Sequence, residues 1–280
     1  MPSSQLDLSV IIPFKDHSDL TISCFKSLEL YANKIKEILL VSNNSSSLEL
    51  NKVKRSAKEF KNIKILEYNH PFNFQKINNW AATQTSSKVY LFLNNDVELI
   101  PSSSQLLNTM YEMALVSDVG AVGCVLLYED RKTIQHAGVY LVPGGTADHL
   151  YIGKKLFSVL QKIENHEYYY NIKQNLEVSA VTAASVMVSR KHFNSVNGFN
   201  ENFIICGGDV DLCLRLSLEG KKTILIGSDY GYMIHKESRS RSSIGIPYVD
   251  FIESYKSYIN YFNLSKGDTH LEWKKIPHEQ

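Results

Sequence analysis

The amino-acid sequence predicts an α/β fold in which a mostly parallel sheet carries flanking helices. Short apolar segments rich in β-branched residues alternate with helical segments over the first hundred residues, as in chains built from strand–helix–strand units. The segment at 89–93, Val-Tyr-Leu-Phe-Leu, is apolar throughout, which is typical of a strand covered on both faces. The chain has 280 residues, 44% of them hydrophobic and 21% charged, so it is long enough for one large domain or two small ones.

Apolar spacing and breaker residues place the elements in order. In the first half, strands are predicted at 8–14, 35–41, 63–66 and 89–93, and helices at 19–28, 48–60 and 78–85. In the second half, strands are predicted at 119–127, 178–188 and 223–226, and a helix at 209–219 that ends at Gly220. An irregular insertion is expected over 125–170, and an amphipathic tail rich in Tyr and Phe over 248–262.

Composition excludes several classes of protein. The 30 basic and 29 acidic residues give a formal net charge of +1, so the overall charge offers no argument for nucleic acid as a partner. The four cysteines are scattered without CxxC spacing, which predicts free thiols in a reducing cytoplasm. The sequence shows neither a signal peptide nor an uncharged apolar stretch of membrane-spanning length. A cytoplasmic location is therefore expected.

A polar cluster directly follows the apolar strand at 89–93. Ligands of open α/β sheets lie beyond the carboxyl ends of the strands, which is where Asn94, Asn95 and Asp96 fall. One carboxylate with neutral oxygen donors beside it suits Mg²⁺ or Mn²⁺ that also binds substrate phosphates. The alternative is an ordinary turn, since Asn and Asp commonly end strands.

The helix predicted at 209–219 begins with two acidic residues. Asp209 and Asp211 are about 200° apart around the helix, so they cannot both face one pocket. Asp211 precedes Arg215 by four residues, which predicts a helix ion pair. Asp209 is left with two alternatives, a helix N-cap or a general base at the edge of a cleft. Gly207 and Gly208 would let the backbone approach a ligand closely.

Two further groups of residues suggest a phosphate and nucleoside pocket. His235 is followed by Arg239 and Arg241, a cluster suited to a metal or diphosphate, although it could equally be a solvated basic loop. On the other side, a second set of residues follows the first two predicted strands and offers contacts for a base and a ribose, unless these are ordinary turns. This set comprises Pro13, Phe14, Asp16, Ser42, Asn43 and Asn44.

Five motifs in register resemble glycosyltransferase family 2, which has the GT-A fold, and most of all its bacterial O-antigen and capsule members, including rhamnosyltransferases. The motifs are Val10-Ile-Ile-Pro-Phe, Leu40-Val-Ser-Asn-Asn-Ser-Ser, Phe92-Leu-Asn-Asn-Asp-Val-Glu, Gly208-Asp-Val-Asp-Leu-Cys-Leu-Arg and His235-Lys-Glu-Ser-Arg-Ser-Arg. The similarity extends over residues 8–242. It implies a GT-A domain at 1–245, with a nucleotide-sugar-binding half at 1–100 and an acceptor half at 101–245, followed by a helical tail at 246–280.

The resemblance implies an inverting transfer of a sugar from a UDP-, dTDP- or GDP-sugar to a glycan or lipid-linked acceptor, with Mg²⁺ or Mn²⁺ as cofactor. By residue matching, Asp209 would be the base and Asp96 and His235 would bind the metal. The donor would be bound by Pro13, Phe14, Asp16, Asn43, Asn79, Asn94, Asn95, Arg239 and Arg241. The sequence departs from the family where Asn94 precedes Asp96 in the Asp-x-Asp motif, where Ser42 replaces an acidic residue, and where Gly208 replaces a common Glu.

Further expectations concern the acceptor and the rival functions. Acceptor sugars are expected to stack on Tyr168, Tyr169 and Tyr170 in the insertion, which also contains His136 and His149. The tail could be a peripheral membrane anchor for a lipid-linked acceptor or a helix packed on its own domain. One rival is a non-catalytic GT-A homologue that binds glycans or nucleotide sugars. A sugar nucleotidyltransferase ranks lower, because the loop after the first strand lacks the glycines that cradle a triphosphate.

Overall fold

The computed structural model describes residues 5–103, 105–142, 146–236, 245, 247–261 and 268–277. Its first half contains β1 (Leu6–Phe14), α1 (Ser18–Ser27), β2 (Ile35–Ser42), α2 (Ser47–Ala57), β3 (Ile63–Glu67), α3 (Phe74–Thr83), β4 (Val89–Leu93), β5 (Val97–Leu99) and α4 (Leu106–Ala114). The second half contains β6 (Val119–Cys124), β7 (Leu126–Leu127), β8 (Ile134–His136), β9 (Val139–Val142), β10 (Thr146–His149), α5 (Leu156–Glu164), β11 (Leu176–Val178), β12 (Ser185–Ser189), α6 (Arg190–Ser195), α7 (Gly208–Leu218), β13 (Lys222–Ile226), β14 (Met233–His235) and α8 (Tyr248–Tyr261).

The main sheet contains eight strands among the described residues, in the order β11-β13-β6-β12-β4-β1-β2-β3. Strands β1 to β4 pair in parallel, and so do β6 and β13, which confirms the predicted α/β fold with a mostly parallel sheet. Strand β12 runs antiparallel between β4 and β6, with Met187 opposite Leu91 on one side and Val122 on the other. The position of β12 joins the parallel strands β1 to β4 and the parallel pair β6 and β13 into one sheet.

Successive side chains along each strand point to opposite faces of the sheet, so a hydrophobic core forms on each face. In β1, Ile11 packs into one core, whereas Val10 and Ile12 pack into the other. In β4, Tyr90 and Phe92 face the first core, where aromatic rings from α6 and the following turn pack edge-on against them. Because both faces of the sheet are covered at β4, this strand is apolar and buried at every position.

A second sheet of four described strands, in the order β5-β14-β7-β8, lies beyond the carboxyl end of β4. Strand β14 pairs antiparallel with β5, so that His235 lies opposite Val97, the residue after Asp96. The backbone N–H of Lys236 also donates to the carbonyl oxygen of Asp96 at 2.9 Å. This pairing brings the end of β14 to the end of β4.

Several predicted boundaries were wrong for local physical reasons. The strand expected at 178–188 is two strands, β11 and β12, since the backbone at Ala180 bridges to Val139 and then turns. Helix α3 begins at Phe74, because Asn73 caps it by accepting from the Lys76 N–H at 2.9 Å. The insertion is more regular than expected, as it contains β8, β9, β10 and α5. No disulfide joins any of the four cysteines, all of which lie among the described residues.

The tail helix α8 packs against α7. Ser257 donates to Asp211 at 2.6 Å, and the Asp250 carboxylate accepts from the backbone N–H groups of Ile204, Ile205 and Cys206 at 2.7 to 2.9 Å. This agrees with a tail that packs on its own domain. Among the described residues, no helix is both long and apolar enough to cross a membrane. Phe262, Arg239 and Arg241 lie outside the described residues.

A buried acidic network lies at the start of the sheet, opposite the polar loops. The Glu37 carboxylate accepts hydrogen bonds from Ser9 at 2.8 Å, from Lys64 at 2.7 Å and from Thr85. Burial raises the pKa of Glu37, but these three hydrogen bonds together outweigh it and leave that pKa below its usual range. The ionised form of Glu37 therefore stabilises the fold.

Candidate active site

A cavity of about 750 Å³ opens beyond the carboxyl ends of β1, β2 and β4. The loop after β1, the residues that follow β4 and the starts of α3 and α7 all line it. Its lining includes Pro13, Phe14, Asp16, His17, Asn43, Gln75, Asn94, Asn95, Asp96, Gln135, His149, Ala183, Gly207, Asp209, His235, Phe251 and Ser254. The position agrees with the general place of ligands in open α/β sheets.

The loops after β1 and β2 hold each other in place at the cavity wall. Asp16 and His17 both adopt the left-handed backbone region, with φ of 51° and 46°. Asp16 accepts from the Ser46 N–H at 2.8 Å, and its own N–H donates to Ser45 Oγ at 3.0 Å. Asn43 donates to the carbonyl oxygens of residues 68 and 70, both at 2.9 Å. These contacts compensate for the strained backbone and leave a preformed wall.

Asp96 and His235 form a buried pair at the base of the cavity. His235 Nε2 lies 3.3 Å from Asp96 Oδ1, and each residue is only 3% exposed. Within the described part of the chain, neither Asp96 Oδ1 nor His235 Nδ1 has a hydrogen-bond partner. The neighbouring Asn95 amide instead donates to Thr21 at 3.0 Å. A buried carboxylate oxygen without a donor is costly, so its position points to a ligand.

This pair fits a divalent cation. Two ligands of one octahedral ion at about 2.1 Å would lie about 3 Å apart, close to the spacing of Asp96 Oδ1 and His235 Nε2. The described residues contain no group of three or more His, Cys, Asp or Glu side chains that could hold a metal by themselves. Mg²⁺ and Mn²⁺ commonly take only one or two protein carboxylates and complete their shell with substrate phosphates and water. The two residues are thus suited to a metal that binds together with a phosphate ligand.

Asp209 lies in the first turn of α7 and reaches the cavity. Its Oδ2 accepts from the Ala183 N–H at 2.9 Å and its Oδ1 from the Val210 N–H at 3.0 Å. The N-cap alternative was wrong, since Gly207 occupies the N-cap with φ 86° and no side chain caps the helix. A carboxylate offers about four acceptor positions, so the two N–H groups orient Asp209 without using all of them.

Asp211 is built for a different role from Asp209. It is 1% exposed and does not line the cavity. Arg215 Nε donates to its Oδ2 at 2.7 Å, which is the predicted helix ion pair, and the guanidinium also donates to the Val196 carbonyl oxygen. The spacing of the two acids therefore separates a cavity carboxylate from a structural one.

A pair of histidines lies in the insertion where the sequence placed them, and His149 of this pair lines the cavity. His136 Nδ1 and His149 Nδ1 are 2.8 Å apart, and the Gly138 N–H donates to His136 Nε2 at 3.3 Å. Since Nε2 accepts, His136 carries its proton on Nδ1 and donates it to His149. Burial lowers the pKa of His136 well below its usual range, and the nearby His149 and His235 add to the effect. His136 is therefore neutral at pH 7 and fixes the ring of His149.

The structure brings most of the predicted site residues together, but not all of them. Those that line the cavity are Pro13, Phe14, Asp16, Asn43, Asn94, Asn95, Asp96, Asp209 and His235. Asn79 does not, because its side-chain amide bonds with both the N–H and the carbonyl oxygen of Phe199 at 2.9 Å. Asn79 instead stabilises the turn at Phe199, which precedes α7 in the chain.

The prediction that Tyr168, Tyr169 and Tyr170 form an aromatic surface for the acceptor was wrong. Tyr168 and Tyr170 are buried, Tyr168 stacks on Tyr151 with ring centres 5.2 Å apart, and neither lines the cavity. Tyr169 is exposed but packs under the Lys275 ammonium. Sequence reasoning also missed residues that do line the cavity, notably Gln75 and Phe251. An earlier start for α3, signalled by Asn73, would have placed Gln75 at the site.

Comparison with known proteins agrees with this architecture. A model described as glycosyl transferase family 2 matches residues 9–136, and one described as the N-terminal domain of galactosyltransferase matches residues 165–238. The chain is 37% identical over 262 residues to the O-antigen biosynthesis protein RfbC of Myxococcus xanthus. Residues 9–136 belong to a glycosyltransferase family 2 domain. A second relative is the uncharacterised protein y4gI of Sinorhizobium fredii, 31% identical over 245 residues.

The chain spans only about a fifth to a quarter of the length of these relatives. The alignments cover 93% and 86% of the chain but only 20% of RfbC and 25% of y4gI. Among solved structures, it is similar to the mannosyltransferase PcManGT from Pyrobaculum calidifontis in complex with GDP-Man and Mn²⁺, with a TM-score of 0.59, 13% identity, and 92% of this chain and 71% of that one covered.

GalNAc-T7, solved with UDP, GalNAc and Mn²⁺, gives a TM-score of 0.63 and 12% identity, and the match covers 94% of this chain and 54% of that one. At such low identities the two likenesses show the fold alone. The chain therefore has the GT-A fold that its motifs indicated.

Proposed function

We propose that the chain is an inverting glycosyltransferase, which moves a sugar from a nucleoside diphosphate sugar to a hydroxyl group of a glycan in bacterial surface polysaccharide assembly. One observation carries the proposal. A single cavity contains a buried Asp96–His235 pair suited to a cation and, on another wall, the oriented carboxylate of Asp209. Similarity to an O-antigen biosynthesis protein supports the polysaccharide assignment.

The donor is proposed to bind with its diphosphate at Asp96 and His235 and its nucleoside against the wall formed by Pro13, Asp16 and Asn43. A divalent cation held there would balance the negative charge that develops on the departing diphosphate. The two solved structures named above contain Mn²⁺ with a guanosine or uridine nucleotide, which supports a nucleotide-sugar donor of the UDP, dTDP or GDP type. The loops after β1 and β2 are hydrogen-bonded to each other, so they would bind the nucleoside without reorganisation.

Asp209 is proposed to take the proton from the acceptor hydroxyl. The backbone N–H groups of Ala183 and Val210 fix its carboxylate, which lowers the entropy cost of reaching the reactive geometry. The acceptor oxygen then attacks the anomeric carbon from the face opposite the departing diphosphate, so the anomeric configuration inverts. Acceptors are proposed to be glycans, either free or linked to lipid. Membrane association of the tail and the cytoplasmic location stay predictions.

The test combines a donor screen with one substitution. Purified protein with Mn²⁺ is offered UDP-, dTDP- and GDP-sugars, and hydrolysis, transfer to alkyl glycosides and thermal stabilisation are measured. Asp209→Asn should lower kcat for transfer by about 10²- to 10⁴-fold, the usual contribution of a general base, with donor Kd within about twofold.

Asp229→Asn is the matched control for that substitution, because Asp229 is exposed and does not line the cavity. NMR of the product should show the inverted anomer. Donor binding without any turnover in the unmodified protein would favour the non-catalytic alternative, and turnover retained in Asp209→Asn would remove Asp209 from the role of base.

A further inference from the structure

Buried polar atoms that lack a partner concentrate at the cavity. Among the described residues, such atoms at the cavity wall belong to Asn43, Gln75, Asp96, Gln135 and His235. A buried amide oxygen left without a donor is costly, so a stable chain keeps one chiefly where a ligand supplies the donor. The carboxamide of Gln75 is the member of this group that lies against Gly208, the residue before Asp209.

Gln75 is held firmly in position. It is the second residue of α3 and 1% exposed. The cap residue Asn73 donates to the carbonyl oxygens of Glu201 and Phe203 at 3.1 Å and 3.0 Å, and the Phe74 N–H donates to the Ile204 carbonyl oxygen at 2.8 Å. The start of α3 is thus anchored to the segment that leads into α7, which fixes the backbone of Gln75.

The carboxamide of Gln75 packs directly on the residue before Asp209. A Cβ atom at Gly208 would lie only 2.5 Å from Cδ and Nε2 of Gln75 and 2.8 Å from its Oε1. Only glycine leaves room for the amide at this position, which gives a physical reason for the glycine where the family resemblance places a glutamate. A neutral amide also avoids the repulsion that a second carboxylate would exert on Asp209 and on a diphosphate.

We propose that the Gln75 carboxamide binds a hydroxyl group of the sugar that reacts beside Asp209 and so helps to determine which sugar is accepted. The inference rests on the proposed function. An amide offers both a donor and an acceptor, which matches the donor and acceptor capacity of a sugar hydroxyl. Gly208 acts as a positioning residue, because its missing side chain makes the space that the amide occupies.

The experiment compares Gln75→Met with Asn78→Leu in the full chain. Methionine has a similar length but cannot form the hydrogen bonds. Asn78 is a matched control on the same helix, because it is fully buried, its Oδ1 has no partner among the described residues, and it does not line the cavity. The readouts are Kd for a nucleoside diphosphate, Kd for the corresponding nucleotide sugar, and KM for a panel of alkyl glycosides.

Gln75→Met should leave Kd for the nucleoside diphosphate within twofold. It should raise by about tenfold either Kd for the nucleotide sugar, which would assign the hydroxyl to the donor, or KM for the alkyl glycoside, which would assign it to the acceptor. Its Tm should equal or exceed that of the unmodified chain, because an unsatisfied buried oxygen is removed. Asn78→Leu should change none of the three binding parameters.

Gly208→Ala provides a second route to the same effect without changing Gln75. It should displace the amide and reproduce the rise in Kd or KM, and it should add little when combined with Gln75→Met. If the unmodified chain binds nucleotide sugars but Gln75→Met behaves like Asn78→Leu, the role of Gln75 is overturned while the proposed function stands. If the unmodified chain binds neither nucleotide sugars nor glycosides, both proposals fail.

Discussion

Replacing Asp211 with alanine is expected to weaken the fold strongly while sparing the chemistry. The substitution removes the acceptor of two charge-assisted hydrogen bonds, from Arg215 Nε at 2.7 Å and from Ser257 Oγ at 2.6 Å. Each such bond contributes about 1.5–3 kcal/mol, and removing one partner of a buried ion pair costs about 3–5 kcal/mol. We therefore expect a loss of about 4 kcal/mol in the free energy of unfolding, or a fall of roughly 8–15 °C in Tm.

The assay is urea unfolding followed by circular dichroism, together with transfer kinetics at a temperature where the variant stays folded. kcat should fall by less than about threefold, because Asp211 does not line the cavity. Asp211→Leu combined with Arg215→Met should be less damaging than Asp211→Leu alone, since no buried guanidinium is left without its partner.

The reasoning for Asp211 would be refuted by either of two results. A loss below 1 kcal/mol would mean that the ion pair with Arg215 does not hold α7 to its neighbours. A fall in kcat of a hundredfold or more in a fully folded variant would mean that Asp211, rather than Asp209, serves the reaction. The two acids are therefore separable by stability and turnover measured on the same samples.

Three further predictions concern the metal pair, acid stability and core packing. Asp96→Asn should weaken Mn²⁺ binding in the presence of a nucleoside diphosphate by at least about tenfold in an EPR titration, and equal affinity would exclude Asp96 as a ligand. The depressed pKa of Glu37 stabilises the fold above about pH 4.3, and this contribution disappears as the pH falls through the folded-state pKa, so Glu37→Gln should lose more stability at pH 7 than at pH 3. A constant difference in urea unfolding at both pH values would contradict this. Gly123→Ala places a Cβ 2.6 Å from Val181 Cβ and should cost about 1–3 kcal/mol, and shortening Val181 to Ala should recover most of it.

Local patterns in the sequence were sufficient for much of the fold. The apolar run at Val89–Leu93, the polar residues after it, and the helix that ends at Gly220 all appear as predicted, because burial and backbone preference act on neighbouring residues. The ion pair of Asp211 and Arg215 was also predicted, since one turn of helix fixes its geometry. The same local signals placed Asp96 and Asp209 at the ends of elements that border the cavity.

Pairings between distant segments were decided only by the tertiary structure. The apolar pattern of β12 gives no direction, so its antiparallel position between β4 and β6 was not predictable from periodicity. His235 meets Asp96 because β14 pairs with β5, and Gln75 meets Gly208 because α3 is anchored to the segment before α7. The sequence by itself determined which segments are apolar and which positions carry charge. Which of them touch was decided by packing, because a contact between remote residues depends on the whole chain that closes around it.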